Sequence, residues 1–216
     1  MSTLQEKFWK GKCGIDYTAK NTYSIEGLDE LYLKMYGTTR SAINIEFLKN
    51  IDKEIKILEI GCNIGQQLRH LQLMDFKNLY GIEIQSYAVE KAKFSTKNIN
   101  IIQGSAFDIP FKDEYFDLVF TSAVLIHISP DDLILALKEI VRCTKRYIWG
   151  MEYYSDKPIF VKYWGNVEYL WERNFVDLYL QKFNILKLIK EKRYKRALPI
   201  RGKEILASQV FLIEKF

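Results

Sequence analysis

Apolar residues follow two alternating patterns from residue 56 onward. Short apolar runs at 56–60, 79–84, 98–103, 116–122 and 147–153 predict strands. The intervening segments carry apolar residues three or four positions apart, which predicts helices. Repeated alternation of strands and helices favours a mainly parallel sheet covered by helices on both faces.

The segment before the first predicted strand is expected to be helical. Residues 1–55 show helical spacing around 4–9, 28–36 and 43–51, and no linker or repeat separates them from the strand that begins at residue 56. We interpret residues 1–216 as one domain, with a helical cap at 1–55 and a core at 56–216.

Four further elements are predicted in the second half. A helix begins after Ser129, because Ser caps helices and Pro130 suits the first helical position. Apolar spacing over 167–178 predicts another helix. Runs at 185–189 and 206–213 predict two strands joined as a hairpin. The expected fold is therefore α/β: a Rossmann-like, doubly wound, seven-stranded and mostly parallel sheet with an antiparallel edge strand.

Composition narrows the class of protein. With 48% hydrophobic and 27% charged residues, the chain is globular rather than disordered. No run approaches the ~18 apolar residues of a membrane span, and no apolar leader is visible, so a cytoplasmic protein is expected. The cysteines, three in number, are far apart and only two histidines are present, so no metal site is expected. A net charge of +5 permits an anionic substrate without requiring nucleic acid.

The segment after the first predicted strand carries a glycine turn. Gly61 allows a sharp turn and close approach of the backbone to a ligand, and Gly65 allows tight packing of a helix on a strand. Glu83 ends the next strand, where it can accept both hydroxyls of a ribose. Two other interpretations stay open: a tight turn beside a solvated Glu83, and a dinucleotide site. The dinucleotide is disfavoured because Asn63 replaces the middle glycine and Glu59 would repel phosphates, whereas Glu59 suits a cationic amine and sulfonium.

Four motifs in order, ILEIGCNIG, GIEI, GSAFDIPF and FDLVFTSAVLIHI, resemble class I S-adenosylmethionine-dependent methyltransferases. The resemblance covers residues 55–155 and implies that S-adenosylmethionine is the cofactor. It further implies a role for each matching position. The methionine part would contact Glu59, Gly61, Cys62, Asn63 and Gly65, the ribose Glu83 and Ile84, the adenine Ser105, Ala106 and Phe107, and the sulfonium Thr121 and Ser122. The family often has Asp where this chain has Ser105.

A narrower resemblance extends over most of the chain. The segments FWKGKCGIDYTAKNT, TSAVLIHISPDDL, RYIWGMEYYSDKPIFVKYWG and WERNFVDLYLQKF are similar to the methylases associated with pseudaminic acid biosynthesis. This similarity implies a cytoplasmic bacterial enzyme that methylates a sugar or sugar nucleotide of nonulosonic-acid or surface-glycan chemistry. Trp164 stands where that group tends to have a basic residue.

Two residues are candidates for a catalytic base, because a sugar hydroxyl is a poor nucleophile while protonated. His127 follows the fourth strand and ordinarily titrates near neutral pH. Glu152 ends the fifth strand. We favour Glu152, since residues after this strand face the acceptor side and its aromatic neighbours would raise its pKa. A buried structural role remains the alternative for both.

The acceptor itself is expected to be small, anionic and sugar-like. Aromatic side chains stack on sugar rings, so Tyr153, Tyr154, Tyr163 and Trp164 are candidate substrate contacts, with a hydrophobic lid as the alternative. From the N-terminal polar stretch, the resemblance suggests Tyr17 and Asn21. A basic run over 182–203 could bind RNA but more often is a solvated surface, and no nucleic-acid motif accompanies it. RNA or protein methylation, a non-catalytic nucleotide-binding protein and an NAD-dependent enzyme remain the alternative functions.

Overall fold

A seven-stranded sheet forms the centre of the protein. The computed structural model describes residues 2–161, 169–197 and 207–216. Its sheet contains β1 (Lys56–Ile60), β2 (Asn78–Glu83), β3 (Asn100–Gln103), β4 (Phe116–Ser122), β5 (Thr144–Tyr154), β8 (Leu186–Lys195) and β9 (Ala207–Lys215), in the order β3-β2-β1-β4-β5-β9-β8. A separate antiparallel pair consists of β6 (Ile159–Phe160) and β7 (Trp171–Glu172). The predicted seven-stranded, mostly parallel sheet is confirmed.

The direction of the strands changes in one half of the sheet. From β3 through β5 all neighbours pair in parallel, whereas β9 pairs antiparallel with both β5 and β8. The antiparallel strand therefore lies one position inside the edge, and the edge strand β8 runs parallel to β5. This arrangement arises because the helix before β8 carries the chain to the far edge before the hairpin returns it to β5.

Helices flank this sheet. They are α1 (Leu4–Lys10), α2 (Lys12–Lys20), α3 (Ile25–Tyr36), α4 (Arg40–Leu48), α5 (Gln66–Gln72), α6 (Ser86–Ser95), α7 (Pro130–Cys143) and α8 (Phe175–Lys182). The predicted start of α7 is confirmed: the Ser129 side chain accepts from the Asp132 amide, and Pro130 occupies the first turn. Within the described ranges, no helix is long and apolar enough to cross a membrane.

Two local predictions differ from the structure. The helix expected over 167–178 begins only at Phe175, where Asn174 caps it, and Trp171–Glu172 is a strand instead. Apolar residues three or four apart are ambiguous over so short a segment. The second helix, α2, is not evident from the apolar pattern, because Lys12–Lys20 is largely polar.

The N-terminal residues serve two purposes. Leu28 of α3 and Ile43 and Phe47 of α4 are buried in the core on one face of the sheet, together with α5 and α6. The opposite face is covered by α7 and α8. Helices α1 and α2 contact the carboxyl ends of the strands instead, where Gln85 donates to the Lys10 carbonyl oxygen and Thr18 to Asn63. These two helices thus form a wall over the edge of the sheet at which its ligands would bind.

Candidate functional site

Two neighbouring cavities open at the carboxyl ends of the central strands. The larger has a volume of about 170 Å³ and the smaller about 80 Å³, and both are lined by Gly61 and Val124. Open α/β sheets bind their ligands at this edge. Of the predicted cofactor residues, Glu59, Gly61, Cys62, Asn63, Glu83 and Ser122 line the larger cavity. Gly61, Ile84, Ser105, Ala106 and Phe107 line the smaller one.

Two predicted cofactor residues line neither cavity. Gly65 caps α5 with a φ of 76°, and a Cβ there would lie 2.9 Å from the side chains of Ile101 and Thr96. Thr121 is buried, and its hydroxyl interacts with the Glu152 carboxylate. Both residues therefore support neighbouring parts of the site through packing and hydrogen bonding. Their direct contact with the cofactor stays a prediction.

Backbone hydrogen bonds hold the glycine turn after β1 in place. Gly61 has a φ of 67°, and its amide and that of Cys62 donate to the carbonyl oxygen of Ile82 at 2.8 and 3.1 Å. A Cβ on Gly61 would lie 2.6 Å from Cγ2 of Val124, inside the wall shared by the two cavities. Only glycine gives both the left-handed backbone and the space at this point.

Glu83 joins this turn to the end of β2. Its Oε2 accepts from the Asn63 amide at 2.8 Å, and its Oε1 accepts from the Gln85 amide at 2.9 Å. Burial raises the pKa of Glu83, and the amides of Gln85 and Asn63 oppose that rise. The two carboxylate oxygens offer about four acceptor sites, and the backbone amides occupy only part of them, so Glu83 retains capacity to accept from a ribose hydroxyl.

Glu59 is the most deeply buried carboxylate lining the larger cavity, with 2% of its surface exposed. Its Oε2 has no hydrogen-bond partner among the described residues. Burial raises the pKa of Glu59 well above its ordinary value, and the positive charge of Arg40 opposes this. An unpartnered buried acceptor is costly, and a cationic donor in the cavity would satisfy it.

Arg40, at the start of α4, is a functional candidate that sequence reasoning missed. It is fully buried behind the larger cavity, and its Nη1 donates to Ser122 Oγ at 3.1 Å and to the Tyr32 hydroxyl at 3.2 Å. Its guanidinium lies 5.0 Å from the ring centroid of Trp149. Its Nη2 has no partner within the described part of the chain. A single arginine in a helical segment gives no sequence signal for this position.

The smaller cavity has mostly apolar walls, including Ile60, Ile84 and Phe107. A charged group also lines it, the carboxylate of Glu6 from α1, and Ser105 donates to Glu6 Oε1 at 2.7 Å. A flat apolar ring with polar edges fits such a space. Glu6 is a second residue that sequence reasoning missed, since it lies 99 positions from its partner.

The two candidate bases lie in different environments. His127 lines the larger cavity next to Trp9, with ring centroids 4.7 Å apart. Its Nδ1 lies 2.7 Å from the Tyr169 carbonyl oxygen. A carbonyl only accepts, so Nδ1 carries the hydrogen and Nε2 is the basic nitrogen of the neutral ring. Burial lowers the pKa of His127 to about 4, so the ring is neutral at physiological pH.

Glu152 lines neither cavity, and its side chain is fully buried. Its carboxylate oxygens accept from the amides of Val124 at 3.2 Å and Ile126 at 3.4 Å. Burial raises its pKa to about 7, and the Thr121 hydroxyl and these amides oppose the rise. The carboxylate thus holds the loop after β4. The Glu152 carboxylate binds loop amides and does not line the cavity, whereas His127 lines it. This placement favours His127 as the candidate base, which reverses the preference from sequence.

The predicted substrate contacts separate into three groups. Tyr17 and Asn21 line the larger cavity. Tyr153 and Tyr154 do not line it: their rings lie 5.0 Å from Arg196 and 3.9 Å from Arg193. Tyr163 and Trp164 lie outside the described residues. Of the predicted substrate contacts that the structure describes, Tyr17 and Asn21 are therefore the two that lie at the cavity.

The groups along the two cavities fit the cofactor that the sequence predicts. The unpartnered Glu59 Oε2 suits an ammonium group, Glu83 suits the ribose hydroxyls, and the smaller cavity suits adenine. These groups succeed one another along one edge of the sheet. Across residues 2–161, 169–197 and 207–216, no three or more His, Cys, Asp or Glu side chains cluster as a metal site.

The central segment of the chain is similar in sequence to known methyltransferases. The family described as "Methyltransferase domain" matches residues 58–147. A sterol methyltransferase-like protein of Botryococcus braunii is 30% identical over 89 residues, which is 38% of this chain and 23% of that protein. The chain covers less than half the length of the curated relatives that it matches first.

Solved structures share the fold over a longer stretch. A SAM-dependent methyltransferase from Methanosarcina mazei matches with a TM-score of 0.63 and 18% identity, over 79% of this chain and 97% of its own. The Burkholderia thailandensis 1,6-didemethyltoxoflavin-N1-methyltransferase, solved with S-adenosylhomocysteine, matches with a TM-score of 0.61 and 15% identity, over 81% and 76%. Residues 58–147 thus match the methyltransferase domain family, and the solved structures show that the chain has the fold of SAM-dependent methyltransferases.

Proposed function

We propose that this protein transfers a methyl group to a hydroxyl of a small, anionic, sugar-like acceptor, as in the methylases associated with pseudaminic acid biosynthesis. One observation carries the proposal: aromatic and polar side chains line the larger cavity beside Ser122, namely Trp9, Tyr17, Asn21 and His127. Aromatic faces pack on the apolar faces of sugar rings, and amide and imidazole groups bind hydroxyls.

The proposed chemistry needs only positioning and one proton transfer. S-adenosylmethionine, when bound, would supply a methyl group activated for in-line displacement, in which the carbon–sulfur bond of the sulfonium breaks as the bond to the acceptor oxygen forms. Trp9 and Tyr17 hold the acceptor in the cavity, which places its hydroxyl for attack. His127 Nε2 accepts the hydroxyl proton as the oxygen–carbon bond forms. The neutral imidazole required for this step is the form that burial favours.

The pairing of basic residues near the C-terminus disfavours nucleic acid as the acceptor. Much of the basic run near the C-terminus is paired: Lys190 and Lys192 both contact Glu46, and Lys187 contacts Glu214. Paired lysines leave less charge for a phosphate backbone. Arg40, one hydrogen bond behind Ser122, adds positive charge close to the cavity.

The test is an acceptor panel with S-adenosylmethionine that carries a deuterated methyl group. The panel contains nonulosonic acids, their nucleotide-activated forms, a sterol, a short RNA and a peptide, and mass spectrometry detects the labelled methyl group. We expect label only on the sugar acids or their nucleotides, and loss of label in His127→Asn. Label on the sterol, RNA or peptide would overturn the proposed acceptor and leave the methyltransferase domain unaffected.

A further inference from the structure

The smaller cavity contains a carboxylate, Glu6, that lies outside the four cofactor motifs. The walls of this cavity come from the ends of β1 to β4, and α1 closes it with Gln5 and Glu6. It adjoins the larger cavity, which contains Glu83, through the shared residues Gly61 and Val124. With the ribose at Glu83, the base of the nucleoside has the smaller cavity as its adjacent apolar space.

Glu6 is held rigidly at this cavity. Its Oε1 accepts from Ser105 Oγ at 2.7 Å, and its Oε2 accepts from the Thr3 amide at 3.0 Å. The Thr3 hydroxyl in turn accepts from the Glu6 amide at 3.1 Å, which completes a capping box. Only 12% of the Glu6 side chain is exposed. A carboxylate anchored at both oxygens presents its remaining lone pairs in fixed directions.

The charge of Glu6 is maintained despite this burial. Burial raises its pKa, but the hydrogen bonds from Ser105, Ser2 and Thr3 together outweigh burial and leave the pKa below its ordinary value. Lys10 lies 4.0 Å from Oε1 and acts in the same direction. Because Ser105 gives its hydroxyl hydrogen to Glu6, the pair presents acceptors rather than donors to the cavity.

We propose that Glu6 accepts a hydrogen bond from the exocyclic amine of the cofactor's adenine, so that the N-terminal helix α1 selects the base. An amine donates to this carboxylate. A carbonyl oxygen at the same position, as in hypoxanthine, would face it with like partial charge. The residue thus acts as a specificity determinant for the purine, and it comes from outside the segment that matches the methyltransferase family.

The test compares S-adenosylhomocysteine with S-inosylhomocysteine, which carries a carbonyl in place of the amine. Isothermal titration gives both dissociation constants for the wild type, Glu6→Gln and Thr3→Ala. Glutamine preserves the capping box and the length of the side chain but adds an amide donor. Thr3→Ala removes the helix cap and keeps the carboxylate.

The wild type should bind S-adenosylhomocysteine at least about 10-fold more tightly, the effect of a hydrogen bond to a charged group. Glu6→Gln should shrink or reverse this ratio, whereas Thr3→Ala should weaken both ligands by the same factor. Equal binding of the two ligands by the wild type would overturn the proposal without any variant. An unchanged ratio in Glu6→Gln, or an equal fall of the ratio in Thr3→Ala, would also overturn it and reduce Glu6 to a helix-capping residue.

Discussion

The two walls of the cofactor site are built in different ways. The wall on the sheet is positioned by backbone: Gly61 turns with a positive φ, and the Glu83 side chain is fixed by the amides of Asn63 and Gln85. The wall from the N-terminal helices is formed by side chains, among them Glu6 and Trp9. A backbone wall requires few residue types at fixed local spacing, whereas a side-chain wall can be varied one residue at a time. The first suits an invariant cofactor, and the second suits tuning of selectivity.

The largest expected effect tests the backbone wall at Gly61. Gly61→Val should abolish cofactor binding, because a β-branched residue is strained at this φ and its Cβ would meet Val124 at 2.6 Å. Titration with S-adenosylmethionine measures the loss, and circular dichroism confirms folding. The matched control is Gly37→Ala, which has a φ of 69° but no described atom within 4 Å of an added Cβ. Tight binding by a folded Gly61→Val protein would contradict the backbone origin of this wall.

The next largest effect is expected on kcat when His127 is replaced, because this residue lies beside Trp9 where the two walls meet. His127→Asn should lower kcat by about 10²-fold or more, the contribution of a general base, and leave cofactor affinity nearly unchanged. The wild-type kcat should be flat from about pH 5.5 to 8 and fall as pH approaches 4, because burial lowers the pKa of His127 to about 4 and protonation removes the base.

The same pH profile distinguishes the two candidate bases. Activity that rises through about pH 7 would instead indicate Glu152, whose pKa is raised to about 7 by burial. Glu152→Gln provides the direct comparison, since it replaces the buried carboxylate on the loop amides with a neutral group of similar size. Full activity in both variants would mean that positioning alone drives the transfer.

A smaller effect is expected at Glu83. Glu83→Ala should weaken S-adenosylmethionine binding by about 1.5–3 kcal/mol, the range for hydrogen bonds to charged groups. Isothermal titration measures this change. Glu90→Ala is the control, because Glu90 is exposed on the following helix and pairs with Lys93 at the surface. Equal affinity of the Glu83 variant and the control would remove Glu83 from the ribose role.

The smallest effect concerns the protonation of Glu59 in the wall on the sheet. Burial raises the pKa of Glu59 in the free protein, whereas pairing with the cofactor's ammonium group would favour its ionised form. Binding should therefore release up to one proton, and affinity should rise with pH, at most about tenfold per unit. Titrations in buffers of different ionisation enthalpy count the released protons, and Glu59→Gln should abolish the release. Unchanged release in this variant would assign the proton to another group.

Local spacing predicted the glycine turn and Glu83 of the sheet wall, and the motif resemblance supplied its other positions. The run KILEIGCNIG places a strand, a glycine turn and a helix in succession, and the second strand ends at Glu83 after that helix. Parallel strands bring their carboxyl ends to one edge, so residues at the ends of successive strands meet there without further information. For this reason most of the predicted cofactor residues line the two cavities.

The identity of the other wall required tertiary structure. Contacts such as Glu6 with Ser105 and Arg40 with Ser122 join residues 99 and 82 positions apart, and no periodicity records which helix covers which strand. The roles of Glu152 and His127 were decided in the same way, since only packing determines whether a buried group faces loop amides or a cavity. The sequence by itself determined most of the succession of strands and helices and the glycine turn, because these depend on short-range backbone geometry, and its motifs carried the resemblance that implies the cofactor. Only the folded chain decided which side chains enclose the cofactor, because that depends on long-range packing.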